Sequence, residues 1–287
     1  LSAIQQITTD ENNMGGLFVR KTLGFCIMAV HLHKLLPLLF HPSGAQWKRG
    51  DFRPLLKTAL LSNVAIASLY VHYMSDLVNM GADGLPKLVL GLLGFETLVL
   101  FYYVLASRRV TRGPAVAMPE GKIPSSVVSR IVGRTVVLVS SAMMLIAGRD
   151  LLFPGYILEM IPSDDIYLEW TGALLHSPPA DSPEAAEHGI NAPFYIADKF
   201  LSQLLALHVV ILCLYKFVSA FLIRYGSDGS GVVASKMIWK ASALGGTTLV
   251  LAFRLFAPAA KSASLDLRWH LMCLAYETFV LGLYGFL

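Results

Sequence analysis

Apolar residues fill seven long runs of this chain, and polar residues crowd into the connections between them. The runs extend from Gly16 to Phe40, Leu55 to Met80, Pro86 to Ser107, Val128 to Phe153, Phe194 to Tyr225, Val232 to Ala257 and Leu267 to Leu287. As a helix, each would cross about 30 Å of hydrocarbon with its own backbone hydrogen bonds satisfied where no water can satisfy them. The alternation of apolar and polar positions that marks a membrane-spanning strand is missing. Proline and glycine punctuate the runs: Pro42 follows the first, Pro54 precedes the second, Pro86 opens the third, Pro154 and Gly155 close the fourth, and Pro258 closes the sixth. The pattern predicts an all-α integral membrane protein. Residues 1–15 form an N-terminal segment, 16–287 one domain of seven transmembrane helices, and 154–193 an acidic, proline-rich extramembrane loop between the fourth and fifth spans.

Composition strengthens this reading. Of 287 residues 55% are hydrophobic and 15% charged, and the mean hydropathy is +0.60. That leaves too little polar surface to cover a soluble globule of this size. Cys26, Cys213 and Cys273 all fall inside apolar runs, with no C-x-x-C or Cys/His spacing, and read as packing residues rather than disulfides or metal ligands. The absence of an N-x-S/T acceptor weighs against a glycosylated surface protein. A first residue Leu1 rather than Met suits a processed, organelle-imported protein.

Charge orients the runs, because basic residues stay on the side of insertion. Lys48, Arg49, Arg53 and Lys57 lie in or next to the connection of runs one and two; Arg108, Arg109, Arg112, Lys122 and Arg130 in or next to that of three and four; Arg224, Lys236 and Lys240 at the facing ends of five and six. With seven spans these share one face, read as cytoplasm, matrix or stroma. The other face receives the connection from Leu151 to Ala197, which holds Glu159, Asp164, Asp165, Glu169, Asp181, Glu184 and Glu187 but no Lys or Arg. The N-terminus is expected on the acidic face and the C-terminus on the basic one. Within the acidic connection, Tyr167 and Trp170 offer aromatic anchors to a partner. Lys48, Arg49, Arg53, Arg108, Arg109 and Arg112 cluster at a membrane edge, where the headgroup of an anionic phospholipid such as cardiolipin would gather.

Two apolar runs contain an acid in nearly the same setting: Glu96-Thr-Leu-Val-Leu100 in the third and Glu277-Thr-Phe-Val-Leu281 in the seventh. Overlaying them also brings Lys57-Thr-Ala-Leu-Leu over Lys240-Ala-Ser-Ala-Leu and His31 near His208, which suggests a parallel 3+1+3 repeat. A bare carboxylate at mid-depth costs about 2.5–3.5 kcal/mol on insertion scales, so Glu96 and Glu277 are expected to be protonated or paired. The candidate donors are His208, Lys216, Tyr102, Tyr276, Thr97 and Thr278.

The remaining chemistry is sparse. His31 and His33 stand about 200° apart on a helix, the wrong disposition for one metal, and no two histidines of different runs share a depth in the way haem ligation requires. No nucleophile elbow, H-E-x-x-H, Walker loop or dinucleotide fingerprint occurs, so no catalytic residue, cofactor or metal is assigned and an enzyme is not expected. Nothing calls for nucleic acid. A seven-helix receptor is disfavoured because the chain stops inside the seventh run. The expectation is an accessory subunit of an organellar membrane complex, most readily the mitochondrial inner membrane, contacting partner subunits and anionic lipids. The competing expectation is a seven-helix transporter or channel that couples protons or cations through Glu96 and Glu277.

Overall fold

The computed structural model describes residues 14–39, 53–79, 84–109, 127–152, 192–225, 230–255 and 268–286, and all of them except Tyr73 are α-helical. Eight helices result: α1 (Met14–Leu39), α2 (Arg53–His72), α3 (Met74–Asn79), α4 (Gly84–Arg109), α5 (Val127–Leu152), α6 (Ala192–Tyr225), α7 (Ser230–Leu255) and α8 (Arg268–Phe286). No strand occurs among the described residues. Three stretches, Arg53–His72, Pro86–Leu105 and Gln203–Ala220, are long and apolar enough to cross a membrane by length and composition. The chain is thus a helical protein with membrane-spanning character.

Each apolar run predicted from sequence overlaps a helix, with one correction. The second run was expected to be continuous from Leu55 to Met80, but α2 ends at His72 and α3 begins at Met74. The helical hydrogen bonds nevertheless carry across, from Tyr73 N–H to the Leu69 carbonyl (3.1 Å) and from Leu77 N–H to the Tyr73 carbonyl (2.9 Å). The interruption falls on a residue held from outside its own helix. The Tyr73 hydroxyl donates to Gln203 Oε1 of α6 at 2.5 Å, while its ring packs edge-on against Phe200 at 5.4 Å. Gln203 in turn donates through Nε2 to the Leu151 carbonyl of α5 at 2.7 Å. One amide therefore ties three helices at the end of α2, and its donor and acceptor are both satisfied.

Helix α6 is the centre of the bundle, packing against α1, α2, α3, α5 and α7. Its buried side chains, among them Phe200, Leu204, Ile211 and Tyr215, form the middle of the core. Helix α7 packs against α1, α6 and α8, and α4 packs on α2. Small residues make the α7 contacts close. Ala241, Ala243, Gly245 and Gly246 are all buried, and a Cβ on Gly245 would come within 2.9 Å of the Ala29 Cβ on α1. In hydrocarbon, where apolar surface gains nothing by leaving lipid, such close van der Waals contact is what holds helices together.

Contacts also fix relative directions. As α1 advances from Ala29 to His33, its neighbours on α7 run back from Gly245 to Ser242, so α1 and α7 are antiparallel. Tyr215 of α6 touches His33, and Ser219, one turn later, meets Trp239 of α7, so α6 is antiparallel to α7 as well. Helices α1 and α6 are therefore parallel neighbours.

Candidate functional site

The two acids that stand out in the sequence are each met by a lysine from another helix. Lys34 Nζ of α1 lies 3.0 Å from Glu96 Oε1 and 3.2 Å from its Oε2 on α4. The same ammonium donates to Asn63 Oδ1 of α2 at 2.5 Å. Lys216 Nζ of α6 lies 2.7 Å from Glu277 Oε1 of α8. That oxygen has no hydrogen bond of proper alignment, so the second pair is held by charge rather than by a directed bond. Side chains on a helix lean toward its N-terminus. Lys34, five residues before the end of α1, can thereby reach back to Glu96 in the middle of α4.

A second polar group surrounds the first. His33, next to Lys34, donates from Nδ1–H to the Ala29 carbonyl at 2.6 Å, leaving Nε2 to accept from the Ser242 hydroxyl of α7 at 2.7 Å. Its ring stands 5.3 Å from that of Tyr215 on α6, tilted by 34°. The adjacent residues His33 and Lys34 thus reach α2, α4, α6 and α7. Two buried donors in this layer, Asn63 Nδ2 and Tyr215 Oη, have no hydrogen-bond partner among the described residues.

Burial differs between the pairs. The side chains of Lys34 and Glu96 are 4% and 30% exposed, those of Lys216 and Glu277 13% and 16%. The first lysine is enclosed and its carboxylate opens outward; the second pair is evenly sheltered. Cys26 of α1 lies within electrostatic range of Cys213 and Lys216 on α6, and His208 of α6 stands in the same relation to His31 and Lys34 on α1. Cys26 and Cys213 are buried free thiols.

Set against the sequence expectations, Lys216 meets Glu277, but His208 does not serve as donor to either acid. Its Nδ1–H goes to the Leu204 carbonyl one turn back, at 2.7 Å. Tyr102 and Tyr276 are exposed, and neither acid is hydrogen-bonded to Thr97 or Thr278 among the described residues. Sequence reasoning missed Lys34, Asn63 and Ser242. The signal for Lys34 was a cation inside an apolar run, set at nearly the same distance before Glu96 as Lys216 is before Glu277. Of the basic residues assigned to lipid headgroups, Arg53 is half-buried at the start of α2, with its Nε enclosed and unpartnered among the described residues. The side chains of Arg108 and Arg109 at the end of α4 lie outside the described residues, as do Lys48, Arg49, Arg112, the loop anchors Tyr167 and Trp170, and residues 1–13.

Chemically, a lysine–glutamate pair across helices can act as a fastener or, if the partners separate, as a proton or cation exchanger. Breaking such a pair leaves an uncompensated charge in a low dielectric. No protein-family model matches the chain, and neither do the curated proteins or the solved structures compared with it.

Proposed function

We propose that the chain is a structural, accessory subunit of a larger membrane assembly. Its seven long helices cross the membrane as two parallel three-helix units, α1–α2–α4 and α6–α7–α8, joined by α5. The observation that carries this reading is the neutralisation of both intramembrane acids by lysines of a different helix. A carboxylate that carries a cation must exchange partners. Glu96 is instead held through both oxygens by a lysine that is itself anchored on Asn63.

The two-unit arrangement is supported by positions rather than by letters. Lys34 pairs with Glu96 in the first unit, and Lys216 with Glu277 in the second. Their predecessors, His33 and Tyr215, stack on one another, as equivalent residues on either side of a two-fold axis between parallel helices would. This register matches His33 with Tyr215 and shifts the overlay suggested by His31 and His208 by five residues.

The basic connections are proposed to face the matrix or cytoplasm and to gather anionic headgroups. The mitochondrial inner membrane is the compartment to test first. Cysteines placed at Ser182 and Ser227 are expected to react with impermeant reagents from opposite sides of sealed vesicles. Reaction of both from one side would remove the seven-span topology.

Native-size electrophoresis and gradient sedimentation of the chain, extracted in mild detergent, are expected to show it in a stable complex well above its 31.3 kDa mass. Glu277→Gln should leave that complex assembled, since an amide still bonds to Lys216. A transporter is the second reading, favoured by the buried, unpartnered Tyr215 Oη and Asn63 Nδ2 beside a charged pair. Purified chain in proteoliposomes that gave proton-dependent flux abolished by Glu277→Gln would replace the subunit reading with that one.

A further inference from the structure

The outer flank shared by α1 and α4 carries polar groups where a lipid-facing surface should have none. Glu96 leaves 30% of its side chain exposed although the cation it pairs with, Lys34, is enclosed. His31 of α1 is exposed, has no hydrogen-bond partner among the described residues, and stands about one helical turn before Lys34, the residue that meets Glu96 at 3.0 Å. Around them the surface is apolar: Met28 is 48% exposed on α1, Leu92 62% and Phe95 70% on α4. Gly24, seven residues before His31 and so on the same face of α1, adds open space where a Cβ would meet nothing within 4 Å. Leu88, Leu92, Phe95, Val99 and Tyr102, all exposed, repeat at the four-and-three spacing by which one helix presents a seam to another.

Two physical arguments say what covers this flank. An acyl chain offers no hydrogen bond, so a partly open carboxylate and an unpartnered imidazole are costly against lipid. A helix with a polar side chain at the same depth removes that cost. The bundle itself also supplies a comparison. Helix α6 has α5 packed along it in addition to its other neighbours, whereas its parallel counterpart α1 packs only on α6 and α7 to any extent among the described residues. Glu277 in the second unit is about half as exposed as Glu96.

We infer that the α1/α4 flank is a berth for a transmembrane helix of a partner subunit bearing an asparagine or glutamine side chain level with Glu96. The amide N–H donates to the open side of Glu96, and the amide oxygen accepts from the His31 ring, which donates there as a neutral imidazole. The small residue Gly24 lets the backbone approach. This inference rests on the subunit reading above and names the partner's chemistry.

The test uses the full chain in proteoliposomes with a donor dye, and a leucine-rich transmembrane peptide carrying an acceptor dye. The peptide is made with a single central Asn or with Leu at that position. The Asn peptide is expected to associate about five- to thirtyfold more tightly than the Leu peptide, the range of one interhelical polar contact in model membranes. His31→Leu, which leaves the Lys34–Glu96 pair intact, should reduce that preference several-fold, and a cysteine at Phe95 should cross-link to one in the Asn peptide. Equal association of the two peptides overturns the berth. A disulfide between two copies of the chain through Phe95→Cys overturns it too, by giving the face to self-association. Should the chain prove solitary on native gels while the Asn preference and its His31 dependence hold, the subunit reading fails and the berth stands.

Discussion

Replacing Lys34 by methionine is expected to destabilise the folded chain by about 3–5 kcal/mol, because it strands a carboxylate in a site that has no other cation within bonding distance among the described residues. The Asn63 carbonyl oxygen loses its donor in the same step, adding the cost of a second buried group without a partner. Changing both members, Lys34→Met with Glu96→Leu, should recover most of the loss, since a buried pair replaced by apolar side chains of similar volume is often neutral. Thermal unfolding in detergent, or steric trapping in bicelles, reads the difference directly. The second pair provides the comparison. Lys216→Met should cost less than Lys34→Met, because Glu277 already lacks a well-aligned hydrogen bond and Lys216 is bonded to no second side chain among the described residues. If the Lys34→Met single variant and the double variant unfold at the same temperature, the pair contributes nothing to stability and the fastener reading loses its footing.

The positions of the long helices were legible because each is an apolar run bounded by proline, glycine or charge, and these are properties of the chain alone. The interruption at Tyr73 was not legible, since its distinguishing contact is to Gln203, 130 residues away in sequence. The glutamates were visible for the opposite reason, being charges where the local pattern forbids them. Their partners were harder. Which helix meets Glu96 depends on the order of helices in the bundle, which no periodicity encodes. Lys34 also sits near the basic end of its run, where a lysine reads as one that stretches to the headgroups. His208 was the natural candidate by depth, and the structure turns its Nδ1–H inward to its own backbone. Mid-helix polar side chains commonly take this course: Ser62 and Thr247 donate to carbonyls four residues back in the same way. A polar residue in an apolar run is therefore a weak pointer to a partner unless its reach exceeds one helical turn. Lysine has that reach, whereas a histidine bridges helices only where a closely packed neighbour brings an acceptor or donor to its Nε2, as α7 brings Ser242 to His33.

The same reasoning about bundle order yields the second large effect, at Gly246. A Cβ built there would collide with Thr278 Oγ1 on α8 and would lie 3.2 Å and 3.3 Å from the Thr278 Cβ and Cγ2. Rotating the threonine cannot relieve all three contacts, because its own Cβ is one of them, so the helices must separate. Gly246→Ala should therefore destabilise by about 1–3 kcal/mol, and Gly246→Leu by at least the top of that range. The control is Gly91→Ala on α4, where a Cβ meets nothing within 4 Å. There the change should be neutral or should stabilise by up to about 1 kcal/mol through helix propensity alone. Thr278→Ala removes the two outer atoms and should restore most of what Gly246→Ala loses, a coupling that a double-mutant cycle isolates. The consequence for the ion pair is direct. Glu277 precedes Thr278 on α8 and faces Lys216 across the bundle, so forcing α8 away from α7 also lengthens the 2.7 Å contact that neutralises the acid. Gly246→Leu should then make Glu277→Gln stabilising, whereas in the unaltered chain that amide is at best neutral. If Glu277→Gln has the same effect in both backgrounds, the α7–α8 packing does not set the geometry of the second pair.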